Sequence, residues 1–99
     1  MASSHLSLRR WYNHYNKYYF NSELPANTRL IWTALHKDHA QMEEGEIHLD
    51  PSLALYPRFM RIMLMHEMIH LHKPKLGHGK KFKAEVKRLF DLGAYSYVL

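Results

Sequence analysis

The sequence contains no cysteine, which excludes a disulfide framework, a zinc ribbon, a Cys-ligated iron–sulfur cluster and thiol catalysis, and which suits a reducing compartment. Any metal that helps to hold the fold must therefore be ligated by nitrogen and oxygen. No run of about 18 apolar residues occurs, so no segment reads as a membrane span. The start, Met1-Ala2-Ser3-Ser4-His5, lacks an apolar stretch of signal-peptide length. The expectation is a soluble, cytoplasmic, monomeric protein with no membrane partner. Glycine and proline are sparse, four of each, and no repeat, low-complexity segment or linker is visible. The 99 residues make one domain, and at 46% hydrophobic and 13% aromatic the chain has enough apolar material to fold, unlike a disordered or fibrous sequence. Fourteen Lys and Arg against nine Asp and Glu give a formal charge of +5, which favours acidic partners.

Between Leu8 and Phe20, Leu8, Trp11, Tyr12, Tyr15, Tyr18 and Tyr19 recur at three- and four-residue spacing and predict one buried helical face, with Ser4 or Ser7 as its cap. The polar, proline-broken stretch 21–27 connects it to a predicted strand over 28–35, and a second strand is expected over 46–49. Residues 36–45 read as a hairpin loop ending in Glu43-Glu44-Gly45. Asp50-Pro51 is a helix-start pair, and Pro57 opens a longer helix running to about His72. Apolar residues surround that helix nearly all round, so it is expected at the centre of the fold. Lys73-Pro74 ends it and Leu76-Gly77-His78-Gly79 turns the chain. Phe82, Val86, Leu89 and Phe90 mark the inner face of a last helix stopping near Gly93.

The informative segment is His66-Glu67-Met68-Ile69-His70, an HExxH arrangement inside the central helix. Residues four apart lie roughly 40° apart around a helix, so both imidazoles can reach one ion, while Glu67 comes close enough to touch a water at the metal without ligating it. In a chain this rich in His, a chance HExxH has a probability on the order of a few per cent. On an apolar helix, two His and a Glu would also be costly buried polar groups unless something binds them. Zinc suits imidazole nitrogen, and a catalytic zinc takes three protein ligands and keeps one position open.

The candidates for the third ligand are His72, His78 and the more distant His5, His14, His36, His39 and His48. His72 lies two residues past His70 and points roughly 160° away from it, as a structural or surface residue would. His78 follows the break at Pro74 and the flexible Gly77, which lets the chain turn back, and it is favoured over Glu85 or a distant His. The metzincin pattern needs Gly at position 73 and His at 76, where this chain has Lys73 and Leu76.

Tyr12, Tyr15-Asn16, Phe20, Leu24-Pro25, Trp32, Ile47-His48-Leu49-Asp50-Pro51, Pro57, His66-Glu67-Met68-Ile69-His70 and His78-Gly79-Lys80-Lys81-Phe82 form an ordered set that covers most of the chain. In this set the chain resembles the SprT-like (Spartan-type) zinc metallopeptidase domain. The resemblance implies one zinc bound by His66, His70 and His78, with Glu67 as catalytic acid and base. It also implies an α+β, zincin-like fold with three to four helices on a two- to three-stranded antiparallel sheet. Members often continue into a cysteine-bearing zinc ribbon or a nucleic-acid-binding extension. The expectation for residues 1–99 is a single domain without the ribbon.

The function expected is zinc-dependent endopeptidase activity on flexible or unfolded polypeptide, with the substrate extended along a sheet edge near 46–50. Tyr95, Tyr97, His36, His39 and His48 are open candidates for an oxyanion donor. Lys80, Lys81, Lys83 and Lys87 make the last helix basic. They form either a solvated face or a phosphate-contacting patch, and the resemblance draws the reading toward DNA-bound or DNA-crosslinked protein substrates. The rivals are a zinc-bound, non-proteolytic DNA-binding or interaction module, and a helical domain with an incidental motif.

Overall fold

Leu8, Tyr12 and Tyr15 are all buried on one face of the first helix, α1, which spans Ala2–Tyr19, and Phe20 is buried just past its end. The computed structural model describes residues 2–35 and 40–96, with side chains from Leu8 onward. Helix α1 begins before Ser4 and Ser7, so neither caps it, contrary to expectation. The aromatic stripe also divides. Trp11 and Tyr19 are half-buried and Tyr18 is 59% exposed, because the stripe is wider than the face that α1 presents to the core. Asn21 and Ser22 then take positive φ and turn the chain back. Asn16 holds the return: its side-chain amide donates to the Leu24 carbonyl at 2.9 Å and its oxygen accepts from the Leu24 N–H at 3.0 Å. One buried side chain thus satisfies both backbone groups of a buried residue. The Tyr12 hydroxyl donates to the Pro25 carbonyl at 2.6 Å and sits 2.9 Å from Thr28 Oγ1, fixing the approach to the sheet.

The sheet has strands β1 (Leu30–Trp32), β2 (Ala40–Glu43) and β3 (Glu46–Leu49) in the order β1-β3-β2. Strand β2 pairs antiparallel with β3 through a tight turn in which Glu44 and Gly45 have φ of 51° and 78°, as a two-residue hairpin requires. Strand β1 pairs parallel with β3, Leu30 opposite Ile47 and Trp32 opposite Leu49. The sheet is therefore mixed rather than antiparallel. The hairpin partner of β3 is β2, drawn from the stretch expected to be loop. Strand β3 is bonded on both sides, so 46–50 cannot offer a free edge; the edges are β1 and β2.

Ile47 and Leu49 point into the core, and α2 (Pro57–His72) packs across β2 and β3. Asp50 joins sheet to helix, accepting from Ser52 N–H at 2.9 Å to cap a short 3-10 helix (Pro51–Leu55) and from Leu35 N–H at 2.9 Å. Helix α2 is central, as expected, meeting α1, the sheet, the 3-10 helix and α3 (Lys80–Asp91). Arg61 pins it to α1, its guanidinium 3.6 Å over the Trp11 ring and its Nε donating to the Tyr15 hydroxyl at 2.7 Å. This is an α+β domain of three helices on a three-stranded sheet, consistent with a small zincin-like fold.

Helix α3 buries Phe82 and Leu89, while Phe90, expected on the inner face, is 59% exposed. Arg88 ties α3 to α1 by donating to the Tyr19 carbonyl at 2.8 Å, and its Nε donates to Glu85 at 3.1 Å. Lys73 meets the other Glu85 oxygen at 3.4 Å. Burial alone would raise the Glu85 pKa, but the hydrogen bond and charge of Arg88, with Lys73, bring it below the usual value. A carboxyl depressed in the folded state contributes stability that is present above its unfolded pKa and is lost as pH falls through the folded value. Glu85→Gln is therefore expected to cost about 1 kcal/mol at pH 7. The deficit should shrink as pH falls from about 4.5, and urea unfolding of both proteins at several pH values checks this.

Candidate metal centre

Helix α2 ends where Pro74 cannot continue it, with the Lys73 N–H closing on the Ile69 carbonyl at 2.9 Å. Leu76 N–H then bonds back to the Lys73 carbonyl at 3.1 Å, and Gly77 turns the chain with φ +66°. That turn carries His78 back over the helix. His66 and His70 stand one helical turn apart on α2 and reach the same point. His78 Nε2 lies 3.1 Å from His66 Nε2 and 2.9 Å from His70 Nε2, and the three ring nitrogens fall within 4.8 Å of one another. Beneath them lies buried Phe82, with ring centroids at 4.7, 4.9 and 5.2 Å from those of His66, His70 and His78. Phe82 belongs to α3, so the packing of α3 on α2 sets the orientation of all three imidazoles. Its role as this floor is not evident from its place in a helical apolar pattern.

Burial, and then the proximity of His70 and His78, lower the pKa of His66 to about 4. His70 is lowered by the same causes, burial first and His78 second. Both rings are therefore neutral at pH 7, the form that ligates a metal. Three imidazoles aiming Nε2 at one point cannot all pair with one another, since each ring nitrogen either donates or accepts. A cation satisfies all three at once. Ligand atoms around a tetrahedral zinc with bonds of about 2.05 Å stand roughly 3.3 Å apart, close to the separations from His78. The residues present fit such an ion. Among the described residues no other group of three His, Asp or Glu side chains gathers in this way.

Glu67 is buried, at 4% exposure, with Oε2 3.8 Å from His66 Nε2. It stands beside the imidazoles without joining the group of three. The remaining histidines lie elsewhere. His72 turns away from the site, as expected, with Nε2 2.8 Å from a Glu23 oxygen and its ring edge-on to Phe20. His14 sits on α1 among Trp11 and Tyr18. His48 lies on β3 between Thr33 and Glu46, at 2.8 and 3.3 Å. Glu85 is engaged by Arg88 and Lys73. Of the described oxyanion candidates, Tyr95 shares a cavity wall with His66, whereas His48 lies on β3. His36, His39 and Tyr97, and the side chain of His5, lie outside the described residues.

The SprT-like family model matches residues 8–96. The chain belongs to the SprT-like family. No curated protein and no solved structure matches it. Membership suggests a metallopeptidase-like domain, and in this SprT-like domain the three histidines could bind a metal ion. The residues that carried the resemblance serve two purposes. Tyr12, Asn16, Leu24-Pro25 and Asp50-Pro51 brace α1, the sheet and the 3-10 helix, whereas His66, His70, His78 and Phe82 converge at the site. Among the described residues no helix is long and apolar enough to cross a membrane.

Proposed function

We propose that this SprT-like domain is a zinc-dependent endopeptidase in which His66, His70 and His78 hold one zinc ion and Glu67 is the general base. The observation that carries the reading is the convergence of three imidazoles beside a buried carboxylate. When bound, zinc supplies Lewis acidity, which lowers the pKa of a water to near 7 and polarises a peptide carbonyl. Glu67 takes the proton of the attacking water and delivers it to the leaving amine. The buried position of its carboxylate fixes its orientation and keeps bulk water from competing for that proton. Phe82 holds the imidazoles in register. The substrate lies extended along the outer edge of β2, the edge strand that packs against α2. Zinc content measured together with cleavage of an unfolded protein tests the reading. One zinc per chain with metal-dependent cleavage supports it; one zinc without cleavage moves the domain to a non-proteolytic binding module.

DNA is the proposed partner of the basic helix, consistent with substrates bound or crosslinked to DNA. Lys80, Lys81 and Lys83 are exposed on α3, and Lys87 is exposed while pairing with Asp91 at 2.7 Å. They extend from the helix that carries Phe82, so a phosphate backbone held there would run close to the histidines. Lys contacts with phosphate carry no base specificity. Binding to single-stranded DNA should therefore weaken steeply with salt, and replacing Lys80 and Lys83 together by Ala should lower the slope of log K against log salt by roughly 1.4 for a single strand. Fluorescence anisotropy at four salt concentrations checks this, and an unchanged slope removes the patch from the interface.

A further inference from the structure

Phe90 is 59% exposed although its helix has a well-filled inner face, and Val86, one turn before it, is half-buried. Both line a cavity of about 250 Å³ between α2 and α3, whose other walls are Ile62, Tyr95 and His66. Four of the five lining side chains are aliphatic or aromatic. The fifth is a member of the histidine triad, so the cavity opens directly beside the candidate metal centre. The exposed cations of α3, Lys80, Lys83 and Lys87, line no part of it. Pockets that enclose a free drug-sized ligand hold roughly 300–1,000 Å³. This one is smaller, the size for a single side chain delivered on a longer ligand.

We infer that this cavity is a specificity pocket, which receives an apolar side chain from one of the two residues flanking the scissile bond. The inference rests on the peptidase reading and deepens it. His66 is both a wall of the cavity and one of the three histidines, so a peptide whose carbonyl lies at the histidines has its adjacent side chain within reach of the cavity. An apolar side chain there is removed from water against Ile62, Val86, Tyr95 and Phe90. A charged one would be desolvated without a partner, since no acidic or basic side chain other than His66 lines the wall. Phe90 at the mouth then becomes buried by the substrate, which accounts for an aromatic ring left in water in its absence.

The test uses the zinc-loaded protein and a peptide series that varies one residue beside the scissile bond. Cleavage with Leu, Met or Phe at that position is expected to exceed cleavage with Gly or Asp by about ten- to a hundredfold in kcat/KM. Phe90→Ala should shrink that ratio several-fold, and Val86→Asp should abolish it. Phe90 is solvent-exposed, so its variant is the one expected to fold without difficulty. A second readout needs no turnover: two peptide hydroxamates, with an isobutyl group or a hydrogen beside the chelating group, are bound to zinc-loaded Glu67→Gln protein. The isobutyl compound should bind at least about tenfold more tightly, and Val86→Asp should cancel the gain. Cleavage with a flat profile, or equal binding of the two hydroxamates, overturns the pocket and leaves the peptidase standing. Absence of cleavage with the isobutyl preference retained overturns the peptidase, and with it the role in specificity, and leaves the cavity as an apolar side-chain site beside the histidines. If neither hydroxamate binds the zinc-loaded protein, the pocket is overturned.

Discussion

Glu67→Gln is expected to reduce cleavage by about a hundredfold to ten-thousandfold, the range that a positioned general base contributes, while one zinc per chain is retained. The amide has the shape of the carboxylate it replaces and cannot take a proton at neutral pH, so the variant removes the chemistry without opening a cavity. Glu67 is almost wholly buried and lies beside His66 without sharing the convergence point of the three ring nitrogens, which is why metal content should not change. Substrate binding should also persist, so the loss should appear in kcat with KM little altered. Steady-state kinetics beside metal analysis gives the answer. A variant that retains full cleavage would transfer the role of base to another group. One that loses its zinc would show that the carboxylate organises the imidazoles rather than the reaction.

The site was more legible in the sequence than the sheet was, and the difference has a physical origin. The i, i+4 spacing of His66 and His70 fixes their relative placement as soon as the segment is helical. Pro74 and Gly77 state locally that the chain must stop and turn, so His78 could be favoured before any tertiary contact was known. Strand β2 carries no such local signal. Ala40-Gln41-Met42-Glu43 has no strong β-formers, and it is a strand because β3 and the Glu44-Gly45 turn make it one. The parallel pairing of β1 with β3 is likewise a non-local choice, which two short apolar segments cannot encode on their own. Phe82 and Phe90 illustrate the same limit within one helix. Both occupy apolar positions in the pattern, yet one ends as the floor of three imidazoles and the other in water beside a cavity. Which role each takes depends on where α3 crosses α2, and periodicity carries no crossing geometry. Asn16 is the converse case, a polar residue on the buried face of α1 whose use, clamping Leu24, becomes visible only once the chain has doubled back.

Removal of the metal should be the largest perturbation of stability. An ion that binds only the folded chain stabilises it by about 2.7 kcal/mol at a free concentration one hundred times its Kd. At roughly 4–8 °C per kcal/mol for a domain of this size, chelation should lower Tm by about 10–20 °C. His78→Ala isolates the origin of that loss. His78 is exposed on a turn outside the core, so its truncation opens no cavity, and the variant without metal should melt where the metal-free wild type melts. With zinc added it should recover only part of the difference, since two imidazoles remain. Phe82→Ala should behave differently. That ring is buried under the histidines, so its loss should cost about 3–5 kcal/mol with or without metal, and should weaken zinc binding as well because the imidazoles lose their floor. Thermal melts of the three proteins, each with zinc and with chelator, distinguish these contributions. If chelator leaves the wild-type Tm unchanged, the convergence of His66, His70 and His78 is a feature of packing, and the metal reading fails with it.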